Sequence, residues 1–576
     1  MARVISIGRQ DFEKLRERNN FYVDKTHFIK EWWEADDEVT LIARPRRFGK
    51  TLNMSMMEKF FSTDYAGRSD LFEGLSIWKD EKYRQLQGTY PVIFLSFAGV
   101  KAGNHKNARR EICEIIADQY AKREFLLEGD LLAQQEKESF RRKTIDMDDV
   151  DASLALRQLA DYLSRYHEKK VIILLDEYDT PMQEAYVGGY WDDMAAFIRG
   201  VFNYTFKTNP YLERAIMTGI TRVSRESIFS DLNNLKVVTT TSKKYADCFG
   251  FTEEEVFAAL DEQGLSDKKE EVKAWYDGFT FGDKTDIYNP WSIINCLDAR
   301  EVGAYWANSS SNGLAGKLIR EGSEEIKRDF ETLLGGGTIV TDIDEQIVYG
   351  ELDGSETAIW SLLLASGYLK VERKTIPLEE EDGLGRPEYE LALTNREVRR
   401  MFYSMVRDWF QRDRRNYNRF IKALLSGDLE AMNEYMNNVA LSTFSYFDTG
   451  KELSRSEPER FYHGFVLGLM VELTGRYALT SNRESGFGRY DVTLEPLNRE
   501  DDAMILEFKV FQPRREKSLE ETAQAALAQI DEKQYAAALQ AKGVAAERIQ
   551  KYGFAFEGKN VLIMEGKKEG GCPENA

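Results

Sequence analysis

Cysteine and histidine are scarce in this chain. The four cysteines (Cys113, Cys248, Cys296 and Cys572) lie far apart and form no CxxC pair. That speaks against a disulfide framework and against a zinc site built from cysteines. Only His27, His105, His167 and His463 are present, too few for a His-rich metal centre. No apolar run approaches the roughly 18 residues of a membrane span, and the opening MARVISIGRQDF has no apolar signal-peptide core. Positive charge is in deficit: 78 Lys and Arg stand against 98 Asp and Glu, a net charge of −20. A protein that coats nucleic acid with a basic surface is therefore not expected. A nuclease is not excluded, because a metal-dependent cleavage site is itself made of carboxylates. With 576 residues, 42% hydrophobic and 31% charged, the chain predicts about three or four globular domains in a reducing, cytoplasmic setting.

What is present begins with Val39-Thr-Leu-Ile-Ala43, then Arg44-Pro-Arg-Arg-Phe-Gly-Lys-Thr51, then Leu52-Asn-Met-Ser-Met-Met-Glu-Lys-Phe-Phe61. Apolar strand, glycine-containing loop and amphipathic helix come in the order that a P-loop needs. Backbone N–H groups of the loop, Gly49 included, and the positive end of the helix would hold phosphate oxygens. Lys50 would reach the β and γ phosphates, and the Thr51 hydroxyl would ligate Mg²⁺. The sequence departs from GxxxxGK[ST] at Arg44, which stands where glycine is asked for.

Lys170-Val-Ile-Ile-Leu-Leu-Asp-Glu-Tyr-Asp179 supplies the second half. Its run Val171–Leu175 suits a parallel strand buried on both faces. Asp176 and Glu177 fall at the strand's C-terminal edge, where open α/β sheets place ligands. Asp176 would hold Mg²⁺ through water, and Glu177 would orient or deprotonate the attacking water. The chain between Lys50 and Asp176 has room for two more β–α units. One strand is visible there, Val92–Phe97, and another follows at Ala215–Gly219. The expected fold is α/β, a doubly wound parallel sheet. Thr218, at that last strand's end, and Arg222 stand where a γ-phosphate could be sensed. Arg46 and Arg47 have two readings: offsetting phosphate charge or acting across a subunit interface, or packing on acidic loops to fix the fold.

Phe21-Tyr-Val-Asp-Lys-Thr26, the RPRRFGKTL segment from Arg44, Leu175-Asp-Glu-Tyr-Asp179 and Thr218-Gly-Ile-Thr-Arg-Val-Ser-Arg-Glu-Ser-Ile-Phe-Ser-Asp-Leu-Asn-Asn-Leu235 together resemble the AAA-ATPase-like family of bacterial proteins. The resemblance makes Arg44 the usual replacement for the loop glycine and implies ATP as the nucleotide. It also suggests that the YVDKT segment, with Asp24, packs near the base.

Beyond it, Thr252 and Glu255 read as the capping box of a helix, and Pro290 opens another. Trp275-Tyr-Asp-Gly-Phe279 and Ile287-Tyr-Asn-Pro-Trp-Ser292 extend the resemblance to about residue 310. A helix from Ala358 turning at Gly367 into a strand, with a partner strand at Tyr389–Leu393, suggests a winged helix. Its acidic tip, Glu379–Pro387, favours a packing role over DNA binding.

The C-terminal quarter holds a second constellation. The glycine-rich turn Gly486-Phe-Gly-Arg-Tyr-Asp491 delivers Asp491 to a strand, and Ala503-Met-Ile-Leu-Glu-Phe-Lys-Val510 is a second strand. Alternation puts Glu507 and Lys509 on one face, and the spacing suits two antiparallel neighbours. Two carboxylates can hold a hard divalent cation, Mg²⁺ or Mn²⁺, beside which a lysine orients water or offsets charge. Asp491, Glu507 and Lys509 resemble the D…ExK core of PD-(D/E)XK nucleases. The resemblance adds Glu459, or Glu457, as a helical carboxylate and Gln529 as a helical substrate contact, although the tyrosine expected four residues later is displaced to Tyr535.

The sequence thus predicts an AAA-like P-loop ATPase domain over 1–245, a lid or winged-helix-like region over 246–395, a helical connector over 396–450, a PD-(D/E)XK nuclease-like domain over 451–565 and a disordered tail over 566–576. ATP binding and hydrolysis would gate metal-dependent cleavage of DNA, with RNA left open and no membrane partner. The alternative is a regulatory ATPase whose C-terminal domain is an inactive module that binds nucleic acid or a partner. Arg46, Arg47 or Arg222 acting in trans would require a homo-oligomer.

Overall fold

The computed structural model describes residues 2–207, 209–221, 229, 232–306, 313–344, 352, 355–375, 387–409, 414–444, 473, 476–483, 490–498, 500–513, 515–532, 535–557 and 560–566. The chain divides into two units, Met1–Met401 and Phe402–Ala576.

The first unit is built on five parallel strands: β1 (Val39–Ala43), β2 (Val92–Ser96), β3 (Val171–Asp176), β4 (Leu212–Gly219) and β5 (Leu235–Val238). Their order is β2-β3-β4-β1-β5, with every pairing parallel. Every residue of β1 and β3 is buried, as unbroken apolar runs require when helices cover both faces. Only β2 separates β1 from β3 along the chain, where room for two β–α units was expected. The extra length is helical: His105–Ala121 packs on β2 and Asp149–His167 on β3. The short edge strand β5 escaped sequence reasoning because only its last residue is buried, so no apolar run marks it.

Antiparallel strands β6 (Phe251–Thr252), β7 (Phe279–Phe281) and β8 (Lys284–Tyr288) follow. The capping box forms as expected: Thr252 Oγ1 accepts from the Glu255 amide and Glu255 Oε2 from the Thr252 amide. Pro290 opens the helix Pro290–Ala299, whose first amides are capped by Asn289. Strands β9 (Ile339–Asp342), β10 (Leu369–Thr375) and β11 (Glu388–Leu393) form a second small sheet beside the helix Glu356–Ala365. This is the helix-plus-hairpin pattern anticipated; residues 379–386 of the acidic tip lie outside the described residues.

In this region burial, reinforced by the neighbouring Asp286, pushes Asp277 up to about 6. The folded chain therefore holds that proton more tightly than the unfolded chain. The associated stability is complete below the ordinary aspartate value of about 4 and is lost as pH rises through about 6. Asp277→Asn is expected to flatten the fall of the unfolding midpoint across that window and to raise the midpoint at neutral pH. A pH series of thermal melts checks it.

The second unit carries the sheet β12-β13-β14-β15-β16, with β12 at Tyr477–Arg483, β13 at Tyr490–Pro496, β14 at Ala503–Val510, β15 at Ile549–Glu557 and β16 at Asn560–Glu565. All pairings are antiparallel except β14 with β15. That parallel pair needs a crossover, and the helix Leu519–Glu532 provides it. Alternation sorts β14 into two faces. Met504, Leu506 and Phe508 share a core with Phe420, Leu424, Met432 and Met436, whereas Ala503 and Ile505 pack with Ile530 and Leu539 beneath the crossover. The helices Arg414–Ser426 and Leu429–Phe444, expected as part of a connector, thus share the core of the C-terminal sheet. Asn433 and Asn437 each exchange two hydrogen bonds with the backbone of β16, at Ile563 and Val561, which closes an edge that would otherwise recruit another strand.

Candidate functional site

In the first unit, β4 lies between the strand that feeds the P-loop and the strand that ends in Asp176. This brings Lys50, Thr51, Asp176 and Thr218 together. Thr51 Oγ1 donates to Asp176 Oδ2 at 2.7 Å, and Thr218 Oγ1 donates to Asp176 Oδ1 at 2.5 Å. Lys50 Nζ donates to the carbonyls of Arg44 (2.9 Å) and Pro45 (2.8 Å). Gly49, at φ +80°, supplies the left-handed turn into the helix Lys50–Phe61, a conformation open to glycine at no steric cost. Burial raises the Asp176 carboxyl while hydrogen bonds from Thr218 and Thr51 oppose the rise. Burial lowers the Lys50 ammonium against the pull of Glu177, Asp176 and Asp179. Glu177 sits just beyond β3 at φ +51°, a strained conformation for a non-glycine residue. Its amide donates to Thr218 Oγ1 at 3.4 Å and its Oε2 accepts from Thr180.

The loop arginines are divided among different tasks. The Arg44 side chain is fully buried. Its guanidinium donates to the carbonyls of Ala43, Thr239, Lys244 and Tyr245 and lies 4.5 Å over the Phe281 ring. These contacts tie the start of the loop to the segment around Thr239–Tyr245, and burial pulls the guanidinium down to about 10. Arg47 stacks 4.2 Å over Trp291, the Arg46 carbonyl accepts from Asn289, and Phe48 packs edge-on against Phe279 and Phe281. The RPRRF segment thus docks the P-loop against the β6–β8 region. The partner of Arg47 is aromatic, where the packing reading expected acidic loops. Arg44→Gly, which restores the consensus glycine, is expected to destabilise this unit by about 3 kcal/mol by stranding buried carbonyls; denaturant unfolding checks it.

In the second unit, the register of β13 and β14 sets Asp491 directly opposite Glu507, the pairing in which two residues share one face of a sheet. The neighbouring Val492 and Leu494 share a core with Leu506 and Phe508, and Glu507 and Lys509 alternate onto the other face of β14. Glu507 is wholly buried. Lys509 Nζ donates to the Ala525 carbonyl of the crossover helix at 3.0 Å, and Gln529, one turn on, is buried in the same helix. Two carboxylates and a lysine are oxygen donors and a counter-charge suited to a hard divalent cation.

Comparison with known proteins matches this division. Residues 6–229 fit the family model of a predicted AAA-ATPase, and residues 457–566 fit that of the PD-(D/E)XK nuclease superfamily. The chain joins an AAA-ATPase-like domain to a PD-(D/E)XK domain. A protein of Azotobacter chroococcum mcd 1, described as an uncharacterized protein in the vnfD 5′ region, is 24% identical over 501 residues, which are 85% of this chain and 86% of that protein. Among the described residues no helix is long and apolar enough to cross a membrane.

Domains of these kinds generally use ATP and divalent metals, and the donors fit both. The AAA-ATPase-like domain offers a left-handed glycine, a lysine and a helix start suited to phosphate, with the Thr51 hydroxyl beside the Asp176 carboxylate suited to a divalent metal. The PD-(D/E)XK domain offers Asp491 and Glu507 in register. Asp24 does not join the P-loop cluster through its carboxylate. Asp24 Oδ1 accepts from Thr26, and Oδ2 from the Ser76 amide, so its place near a nucleotide base rests on the resemblance alone. Arg222, Glu457 and Glu459 lie outside the described residues.

Sequence reasoning missed one network. Asp179 is almost wholly buried and its Oδ2 accepts from the amides of Ile220 and Thr221, the Thr221 hydroxyl and Gln183. Gln183 in turn accepts from Arg46 at 3.0 Å. The network ties the loop after β3 to the end of β4 and back to the P-loop. A Cβ on Gly219 would meet Asp179 Oδ1 at 2.7 Å, so only glycine admits it. The signal was the second aspartate of LDEYD, read as part of a motif but given no role.

Proposed function

We propose that the AAA-ATPase-like domain binds and hydrolyses ATP and that this cycle gates a metal-dependent phosphodiester-cleaving site in the PD-(D/E)XK domain, acting on DNA. The observation that carries the nuclease reading is the register placing Asp491 opposite Glu507, with Lys509 on the same face.

At the nucleotide site, Lys50 would exchange its loop carbonyls for β and γ phosphate oxygens, and the amides at the helix start would hold the remaining charge. Thr51 and Asp176 would hold Mg²⁺. Glu177, at the strand end, would take the proton of the attacking water. Thr218 bridges the Asp176 carboxylate and the Glu177 amide, which suits it to report the γ-phosphate. The Arg47–Trp291 and Asn289–Arg46 contacts would carry the loop's state to the neighbouring lid.

At the nuclease site, Asp491 and Glu507 would hold a divalent ion, which when bound lowers the pKa of water and offsets charge on a phosphodiester oxygen. Lys509 would orient the water, its ammonium positioned by the Ala525 carbonyl. Gln529 would contact substrate from the crossover helix. The test is cleavage of linear, circular and single-stranded DNA with Mg²⁺ or Mn²⁺, beside Asp491→Ala. Cutting that disappears in the variant supports this reading. DNA bound but uncut by both proteins would replace it with that of an inactive binding module.

A further inference from the structure

His27 opens the helix His27–Ala35, and Glu31 follows one turn later on the same face. Asp247 and Cys248 arrive from the segment leading into β6, with Cys248 lying 217 residues from Glu31 in the chain. One ligand atom from each of the four lies within 4.8 Å of all the others. His27 Nε2 is shut off from solvent and has no hydrogen-bond partner; it faces Asp247 Oδ1 at 3.6 Å. The Cys248 thiol donates a hydrogen bond to Glu31 Oε2 with an S···O distance of 3.7 Å. The His27–Asp247 N···O separation is too long for a hydrogen bond. It is close to the edge of a coordination tetrahedron: bonds of about 2.0–2.1 Å to N and O and about 2.3 Å to S give edges of about 3.4 Å between N and O and about 3.5 Å between S and O.

From this geometry we infer that His27, Glu31, Asp247 and Cys248 form a four-ligand site for a zinc-type transition ion, separate from both proposed catalytic sites. One imidazole, one thiolate and two carboxylates suit a borderline-soft ion and not Mg²⁺ or Ca²⁺, which take oxygen ligands. Four protein ligands close the coordination sphere, so the role is structural. The ligands' backbone is held from outside: Lys25 Nζ donates to the Asp247 carbonyl at 2.7 Å, and Asn53 of the P-loop helix donates to the Cys248 carbonyl at 2.9 Å. The ion would staple the YVDKT-containing N-terminal segment to the start of the lid, beside the P-loop. On binding, the metal–sulfur bond forms as the Cys248 thiol loses its proton to solvent.

The test is titration of the full chain, stripped of metal by a chelator, with Co²⁺ and then Zn²⁺. One equivalent of Co²⁺ is expected to give tetrahedral d–d absorption and a thiolate-to-cobalt charge-transfer band, which Zn²⁺ abolishes by displacement. Zn²⁺ is expected to raise the thermal midpoint by several degrees. Cys248→Ser is expected to remove the charge-transfer band and His27→Gln to weaken Co²⁺ binding at least tenfold. Asp491→Ala, in the other domain, is expected to keep the band. Wild-type protein without that band, or a band that survives Cys248→Ser, would overturn the site. Because His27 is partly exposed, His27→Gln reads the site even if Cys248→Ser fails to fold.

Discussion

Glu177→Gln is expected to lower ATP turnover by at least about 100-fold while leaving ATP affinity within a few-fold of wild type. General-base removal costs about 10²–10⁴ in rate, and glutamine keeps the size of the side chain. It also leaves the backbone strain at φ +51° and the amide contact to Thr218 in place, so the turn should persist. Lys50→Ala should behave differently and lose affinity, because the buried lysine is the cation of the proposed phosphate cradle. Single-turnover hydrolysis beside equilibrium nucleotide binding separates the two. If Glu177→Gln turned over ATP at the wild-type rate, the proton acceptor would have to be sought elsewhere, with Asp179 held by four donors and unsuited to the task.

The second large effect concerns Glu507. Glu507→Gln is expected to lower DNA cleavage by about 10³-fold or more, since one of the two carboxylates proposed to hold the ion is lost at the position where charge would develop. The substitution preserves shape in a fully buried site, so the sheet should remain intact and the thermal midpoint should move by only a few degrees. Lys509→Ala should cost less, about 10²-fold, because in the proposed mechanism the lysine positions water and does not hold the ion. A cleavage time course alongside a melt of each variant distinguishes lost chemistry from lost fold.

The parts of this architecture legible in the sequence are those encoded locally. The P-loop and the apolar run into Asp176 each fit in a dozen residues, and the alternation of Glu507 with Lys509 fits in three. The antiparallel pairing with Asp491 followed from the length of the intervening hairpin. What escaped depends on contacts distant in the chain. Arg44 stands in the P-loop segment, yet its side chain is fixed by carbonyls some 200 residues away, which no motif announces. Asn433 and Asn437 read as ordinary helix-surface amides until β16 is laid beside them. The same reason hides the His27–Cys248 cluster: a search for CxxC or paired histidines finds nothing, because each ligand type occurs once or comes from a different element. Strand β5 was hidden by weak burial, and the helices 414–444 by polar outer faces that read as a connector.

The measurement that tests the coupling of the two domains most directly is the DNA cleavage rate of the full chain with Mg²⁺, taken without nucleotide, with ATP, and with ATP in the Glu177→Gln variant. Gated cleavage predicts that ATP changes the wild-type rate and that Glu177→Gln, locked in the ATP-bound state, holds cleavage at one extreme. Identical cleavage rates in all three conditions, with ATP hydrolysis intact, would contradict the coupling of the two sites.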